Sequence, residues 1–384
     1  MLIIAGNFTK NLFPLEKKFL LRYTLTMLNA IFGLFSHDLG IDLGTANTLI
    51  HVRGKGVLIR EPSVIAIHKK SKKVLAIGEE AKKMIGRTPA SIVAIQPLTA
   101  GVISDFDSTE KMLKYYIEKV HQSSSRLPKI PRPRVVIGIP SSVTEVEEKA
   151  VIDATKSAGA RKAYLIEEPM AAAIGAGIDV MAPKGSMIVD IGGGTTEIAI
   201  ISLGGIVNCM SLKVAGYEFD QAITDYIRYN FNLLIGAKTA EDIKIRMTNL
   251  ISLKKTADEK GRVNALSGES ENNMIVRGRN LKTGLPEEIK IDSNDITEAL
   301  KRPVQIIIDG VKDVIENTAP ELVSDVIKAG IVLAGGGALL KGFAELMSNQ
   351  LNTTVTIAKD PLTCVVRGCA IVLDDKGLLG KVTK

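Results

Sequence analysis

DLGIDLGTANT at residues 38–48 and VDIGGGTTE at residues 189–197 are two versions of one pattern. Each starts in apolar residues that read as a strand and reaches an aspartate, Asp42 or Asp190. Each then bends through glycine and small residues and returns through threonine into a second apolar run. A glycine-bearing turn lets backbone N–H groups approach an anion without obstruction by Cβ, and successive amides form a concavity for phosphate oxygens. An aspartate at the end of the preceding strand is placed to hold Mg2+, which takes few protein carboxylates and keeps several waters. One such turn is more often structural than functional. Two of them, with a third glycine cluster at Gly335, Gly336 and Gly337, imply two similar domains that face each other across a cleft and clasp one polyphosphate. The chain has neither the GxxxxGK[ST] nor the GxGxxG phosphate fingerprint.

Outward from these turns, glycine-punctuated strands alternate with helices. Residues 57–77 read as short strands with Pro62 at an edge. Residues 108–120 carry helical periodicity through Met112, Tyr115, Tyr116 and Val120. A short buried strand at 135–139 ends at Pro140 and precedes a helix from near Ser142 that Gly159 stops. A strand at 164–166 runs into a helix from Pro169. Helical stretches holding Tyr226, Ile227, Ile243 and Leu250 precede a polar segment, residues 267–288, suited to hairpins and loops. Residues 296–316 read as a long helix broken or entered near Pro303, and a buried strand at 331–333 leads through the glycines to a helix from Leu339. This order predicts an α/β fold with mixed sheets. The 384 residues suffice for more than one core, since single cores stop growing near ~250–300 residues.

Composition narrows the class. Apolar residues make up 46% and charged residues 24%, which excludes disordered, collagen-like and multi-span membrane chains. The net charge is +7, but the basic residues are scattered, aromatics are only 4%, and no zinc-finger or RNP spacing occurs, so nucleic acid is not an expected partner. A mildly basic surface suits an anionic membrane or an acidic partner, or simply water. Cys209, Cys364 and Cys369 are odd in number and lack a CxxC or His cluster, so they read as buried thiols in a reducing cytosol.

Lys17, Lys18 and Arg22 precede an uncharged apolar stretch at 23–35 that is too short to span a bilayer and has no small-x-small cleavage site before Asp38. Secretion is therefore rejected. Leu28, Ile31, Phe32 and Phe35 recur at helical spacing, which suits an amphipathic helix in a membrane interface within an N-terminal extension of residues 1–36. A helix packed on the protein's own core has the same pattern, and a native start at Met27 would remove part of the extension. Leu127 and Ile130 among Arg126, Lys129, Arg132 and Arg134 form a second candidate membrane contact, with an ordinary surface loop as the alternative.

The motifs also carry a family resemblance. The turn at Asp42 resembles the first phosphate motif of the actin, chaperone and sugar-kinase superfamily, residues 190–196 its second, and AGGGA at 334–338 its adenosine motif. EEPMAAA at 167–173 resembles the segment connecting the two halves. Together DLGIDLGTANT, LIEEPMAAAIG, VDIGGGTTE and PELVSD at 320–325 are similar to the MreB family of bacterial actin-like proteins, over about residues 38–373; residues 1–26 lie outside it. The resemblance implies an actin-like ATPase fold: two lobes, each a mixed β-sheet flanked by helices, with nucleotide in the cleft between them. Lobe I would comprise a core of residues 37–65, 108–176 and 358–384 and a small subdomain of 66–107. Lobe II would comprise a core of 177–217 and 294–357 and a small subdomain of 218–293.

The resemblance further implies ATP and Mg2+ as cofactors, with Asp42 and Asp190 holding the metal. Gly44, Thr45, Ala46 and Asn47 would meet phosphate, and Gly192, Gly193, Gly194 and Thr195 would grip the β- and γ-phosphates. Gly335, Gly336, Gly337 and Ala338 would back the nucleoside. Glu241 and Lys244 resemble the pair that touches ribose and adenine, although their spacing alone reads as a surface i,i+3 ion pair. In-line attack on phosphorus needs a group that orients water, and Glu168, entering the cleft just before Pro169, is the catalytic candidate with Thr195 assisting. Glu167 is the neighbouring alternative, since successive strand residues face opposite ways; the resemblance favours Glu168.

The implied function is a polymerising, slow ATPase whose hydrolysis times filament turnover rather than serving metabolism. Its first partner would be itself, through a head-to-tail interface that does not close. The family would place it in the cytoplasm, peripherally on the inner face of the membrane, guiding the cell-wall elongation machinery and so cell shape. Two other classes share the superfamily. A chaperone ATPase has the EPxAAA segment but continues into a peptide-binding domain, for which the stretch after residue 373 leaves no room. A small-molecule kinase needs a base beside a sugar or acid pocket, and no separate candidate stands out.

Overall fold

The computed structural model describes residues 36–122, 132–251 and 273–384. The expected amphipathic helix at 28–35 and the contact around Leu127 and Ile130 lie outside the described residues, as does part of the polar segment at 267–288. No helix among the described residues is long and apolar enough to cross a membrane.

Two five-stranded sheets organise the molecule, and they share one topology. In the first, β1 (Leu39–Leu43), β2 (Asn47–Val52) and β3 (Gly56–Pro62) form an antiparallel meander. The strands β9 (Arg134–Ile139) and β10 (Lys162–Glu167) then add in parallel beside β1, in the order β10-β9-β1-β2-β3. In the second, β11 (Ser186–Ile191), β12 (Thr196–Ser202) and β13 (Gly205–Leu212) repeat the meander. There β17 (Ile331–Ala334) and β18 (Val355–Ile357) add in parallel, in the order β13-β12-β11-β17-β18. Register repeats as well. Asp42 is flanked by Leu49 and Gly138, and Asp190 by Glu197 and Ala334, so each aspartate is the penultimate residue of its central strand. Pro62 lies on the edge strand β3, where a missing N–H costs no ladder bond.

Two smaller sheets sit outside these. One joins β4 (Ile65–His68), β5 (Val74–Ile77) and β6 (Ile92–Ile95) beside α1 (Glu79–Met84). A two-stranded ribbon, β7 (Leu98–Thr99) and β8 (Val102–Ile103), follows. The other small sheet joins β14 (Leu233–Leu234) to the hairpin β15 (Asn273–Asn280) and β16 (Pro286–Asp292).

Helices cover the large sheets. On the first lie α2 (Phe106–Gln122), which buries Met112, Leu113, Tyr116 and Ile117, and α3 (Glu145–Ser157). Its Thr144 forms a capping box with Glu147, which fixes the start three residues later than Ser142. The connector α4 (Glu168–Ala176) runs from β10 toward the second sheet. On the second lie α5 (Gly216–Phe231), α7 (Ser293–Glu316), α8 (Pro320–Ala329) and α9 (Phe343–Leu351), while α6 (Ala237–Met247) packs on α5, α7 and the small-sheet strand β15. The helix α10 (Cys364–Asp374) crosses α4 backbone to backbone: a β-carbon on Gly175 would strike Cys364 and one on Gly368 would strike Ala171. The last helix, α11 (Lys376–Val382), leads to Lys384, whose N–H donates to the Leu165 carbonyl (2.9 Å) on the free edge of β10. The Lys384 ammonium pairs with Glu148 and Glu167.

Three sequence expectations need correction. The helix α7 is neither broken nor entered at Pro303: it starts at Ser293 behind the Asp292 cap and runs through the proline. Its buried stripe of Ile296, Leu300, Val304, Ile307, Val311 and Val314 offsets the one lost hydrogen bond. After the glycine cluster the chain forms a 3-10 turn, Gly336–Leu339, and the α-helix begins only at Phe343. Cys364 and Cys369 are buried, but Cys209 is exposed, on the free edge strand β13.

Candidate functional site

The two aspartate-headed turns converge on a single cleft of about 410 Å3 between the large sheets. That volume lies within the range of small-ligand sites. Asp42, Gly44, Thr45, Ala46 and Asn47 line it from the first sheet, and Asp190, Gly192, Gly193, Gly194 and Thr195 from the second. Glu168, Glu241, Lys244, Gly335, Gly336 and Gly337 complete the predicted set. Ala338 alone of the candidates turns away: it is fully buried in the core of the second lobe. In a 3-10 turn neighbouring side chains diverge, so membership of the glycine motif does not bring every residue to the cleft.

Each turn is pinned from behind. The Gly44 carbonyl accepts from Ser63 Oγ (2.6 Å), and the Thr45 hydroxyl accepts from Gly101 N–H (2.8 Å). In the second turn Gly192 N–H donates to the Thr195 carbonyl (2.9 Å). The Gly192 and Gly193 carbonyls accept from Gly216 and Tyr217 at the start of α5 (3.1 and 2.8 Å). The turns also meet each other. A β-carbon on Gly194 would stand 2.8 Å from Thr45 Oγ1, closer than any packed side chain tolerates.

The floor of the cleft is strongly acidic. Burial pushes the Asp42 carboxyl up to about 7. Burial pushes Asp190 up to about 8, with the charges of Asp42 and Glu197 adding to it. Glu168 is raised well above the usual range by burial, then by Glu197, Asp42 and Asp190. Such a group of carboxylates calls for a cation. Among the described residues no three His, Cys or acidic side chains make a metal cage. Two aspartates facing one cavity nevertheless fit Mg2+, which completes its shell with water and phosphate oxygens.

The neighbouring glutamates separate cleanly. Glu168 opens α4 and lines the cleft, whereas Glu167 sits at the N-cap position and turns its carboxylate to Lys384 (3.3 Å) instead of capping the helix. Glu241 and Lys244 do not pair with each other. Lys244 bonds Asp220 and the Gly216 carbonyl (both 2.9 Å), and Glu241 takes Lys82 of α1 from across the cleft mouth (2.8 Å). A second bridge crosses nearby, where Gln96 Nε2 donates to the Tyr217 hydroxyl (2.6 Å).

Residues 36–380 match the MreB/Mbl protein family. The chain belongs to that family. It is 46% identical to the cell shape-determining protein Mbl of Bacillus subtilis (strain 168) over 348 residues, 91% of this chain and 99% of that protein. It is 47% identical to the cell shape-determining protein MreB of Escherichia coli (strain K12) over 346 residues, 89% and 94% of the two chains. In three dimensions it resembles MreB5 of Spiroplasma citri bound to AMPPNP, with a TM-score of 0.80 at 37% identity over 90% of this chain and 97% of that one. The fold is thus the actin-like one of the MreB/Mbl family.

Several cleft residues carried no role in the sequence reading: Gly216, Lys341, Pro361 and Leu362 in the lining, and Lys82, Gln96 and Tyr217 across its mouth. Glu197 beneath the second turn is also new, though it had a signal, as the last letter of VDIGGGTTE.

Proposed function

We propose that this chain is an ATP-driven, actin-like filament protein that determines cell shape. The observation that carries this reading is the convergence of two matching sheets on one acidic cleft, with an Asp-headed glycine turn from each. Asp42 and Asp190 would hold Mg2+, which when bound supplies the positive charge that the carboxylates and a triphosphate both require. The amides around Gly44, Thr45, Ala46 and Asn47 and around Gly192, Gly193, Gly194 and Thr195 would cradle phosphate. Gly335, Gly336, Gly337, Glu241 and Lys244 would border the nucleoside. Glu168, with Thr195 beside it, would orient water for in-line attack and accept its proton.

The two large sheets, each with a smaller sheet beside it, support the division into four subdomains. The MreB5 neighbour's bound nucleotide supports ATP as the ligand. Cell-shape relatives at 46–47% identity favour a filament over a chaperone or small-molecule kinase. Sedimentation in ATP against buffer tests this: a pellet that appears only with ATP is expected. A protein that stays in the supernatant but whose ATPase responds to sugar or unfolded peptide would overturn the filament reading.

Attachment to the inner face of the membrane, where the filament would guide wall synthesis, is the finer proposal. The apolar periodicity at 28–35 supports it. Flotation with anionic liposomes should carry the full chain upward and leave a chain lacking residues 1–36 behind. Equal flotation of both would remove this segment from the account.

A further inference from the structure

A carboxylate with no direct catalytic assignment lies beneath the second turn. Glu197 on β12 is only 1% exposed, and burial raises its carboxyl above the usual range. A buried carboxylate is costly unless its oxygens are well bonded, and here both are. Oε1 accepts from Ser211 Oγ on β13 (2.6 Å), within its own sheet. Oε2 accepts from the backbone N–H of Ser141 (3.2 Å), which belongs to the other lobe and lies just past Pro140 at the end of β9. The side chain therefore ties the two lobes together beneath the second turn.

What it ties together is specific. Glu197 stands two residues beyond Thr195, the last residue of the second turn, and pairs in register with Asp190. On the other side, β9 backs Glu168: a β-carbon on Gly138 would touch Glu168 Cγ at 3.4 Å. We infer that Glu197 is a positioning residue that fixes the spacing between Glu168 on one lobe and the second phosphate turn on the other. The inference rests on the proposed role of Glu168. In-line attack tolerates little displacement of the water-orienting group, so a slack lobe junction should slow hydrolysis while nucleotide still binds.

The test compares phosphate release and fluorescent-ATP affinity for the full chain and four variants. Glu197→Ala should lose about 10- to 100-fold in turnover with affinity held within about threefold. Glu197→Gln, whose amide oxygen can still accept from Ser141 N–H, should recover about half of the lost rate or more. Ser211→Ala, a milder change that keeps the test alive if Glu197→Ala misfolds, should slow turnover about two- to fivefold at unchanged affinity. Normal turnover in Glu197→Ala or in Ser211→Ala, a Gln variant as slow as Ala, or affinity lost in step with turnover would each overturn the inference. Glu168→Ala runs alongside. If it too hydrolyses normally, the Glu168 reading beneath the inference fails; if it is inactive while Glu197→Ala is normal, the positioning role alone fails.

Discussion

Thr45 and Gly194 approach each other from opposite lobes until no atom larger than hydrogen fits on the glycine side: a β-carbon there would stand 2.8 Å from the threonine hydroxyl oxygen. Overpacking of this kind costs about 1–3 kcal/mol. Gly194→Ala should therefore hold the turns apart and weaken ATP binding by about tenfold or more, each 1.4 kcal/mol being tenfold. Titration with a fluorescent ATP analogue measures it, and adding Thr45→Gly should restore part of the affinity. Wild-type affinity in the single variant would mean the turns do not close together on the ligand.

Glu168 lines the cleft and Glu167 does not. Glu168→Ala should bind ATP normally and release phosphate about 10²-fold or more slowly, the usual scale for a lost general base. Glu167→Ala should leave turnover within about threefold, because its carboxylate pairs with the half-exposed Lys384 and does not line the cleft. Reversed results would exchange the two assignments.

Asp42 and Asp190 are raised by burial to about 7 and about 8, so both take up protons on folding. Their contribution to the stability of the nucleotide-free protein is complete below pH ~4, where an unfolded aspartate titrates. It is lost as the pH rises through about 7 and 8. Asp190→Asn should flatten this loss and raise the Tm at alkaline pH, by about 2–4 °C for each kcal/mol regained. Mg2+ without nucleotide should stabilise the wild type more at alkaline than at acid pH. Melting curves for Asp190→Asn that parallel the wild type at every pH would contradict the burial argument.

Lys82 and Glu241 bridge the mouth at 2.8 Å, each about one-third exposed. Solvent screening limits such a pair to about 1 kcal/mol or less. Lys82→Ala should accordingly speed nucleotide release by up to about fivefold, and the exchange Lys82→Glu with Glu241→Lys should slow it again. Stopped-flow release of a fluorescent ADP decides this. An unchanged rate in Lys82→Ala would show that the bridge does not gate the cleft.

The strands around Asp42 and Asp190 were legible because backbone chemistry writes itself into sequence there: apolar run, carboxylate, glycine turn, threonine. The shared topology of the two sheets then follows from the repeat. Pro303 misleads because the local rule against proline in helices is weaker than the buried stripe on both sides of it, and that stripe finds its partners only in the fold. Glu241 and Lys244 invited pairing by their spacing, but each is claimed by a residue far along the chain, Lys82 and Asp220. Lone polar residues such as Lys82 and Gln96 carry no pattern at all. Ala338 shows the converse, a motif letter whose side chain packs inward. Short-range chemistry could be read; the partners that distant elements bring could not.

The backbone bond between Lys384 and Leu165 has a practical corollary for anyone labelling this protein. A fluorescent protein fused behind Lys384 would tug on β10, the strand that ends at Glu167 and delivers Glu168 to the cleft. An insertion at the exposed turn around Thr283 and Gly284, between β15 and β16, would load only a peripheral hairpin and leave that strand at rest.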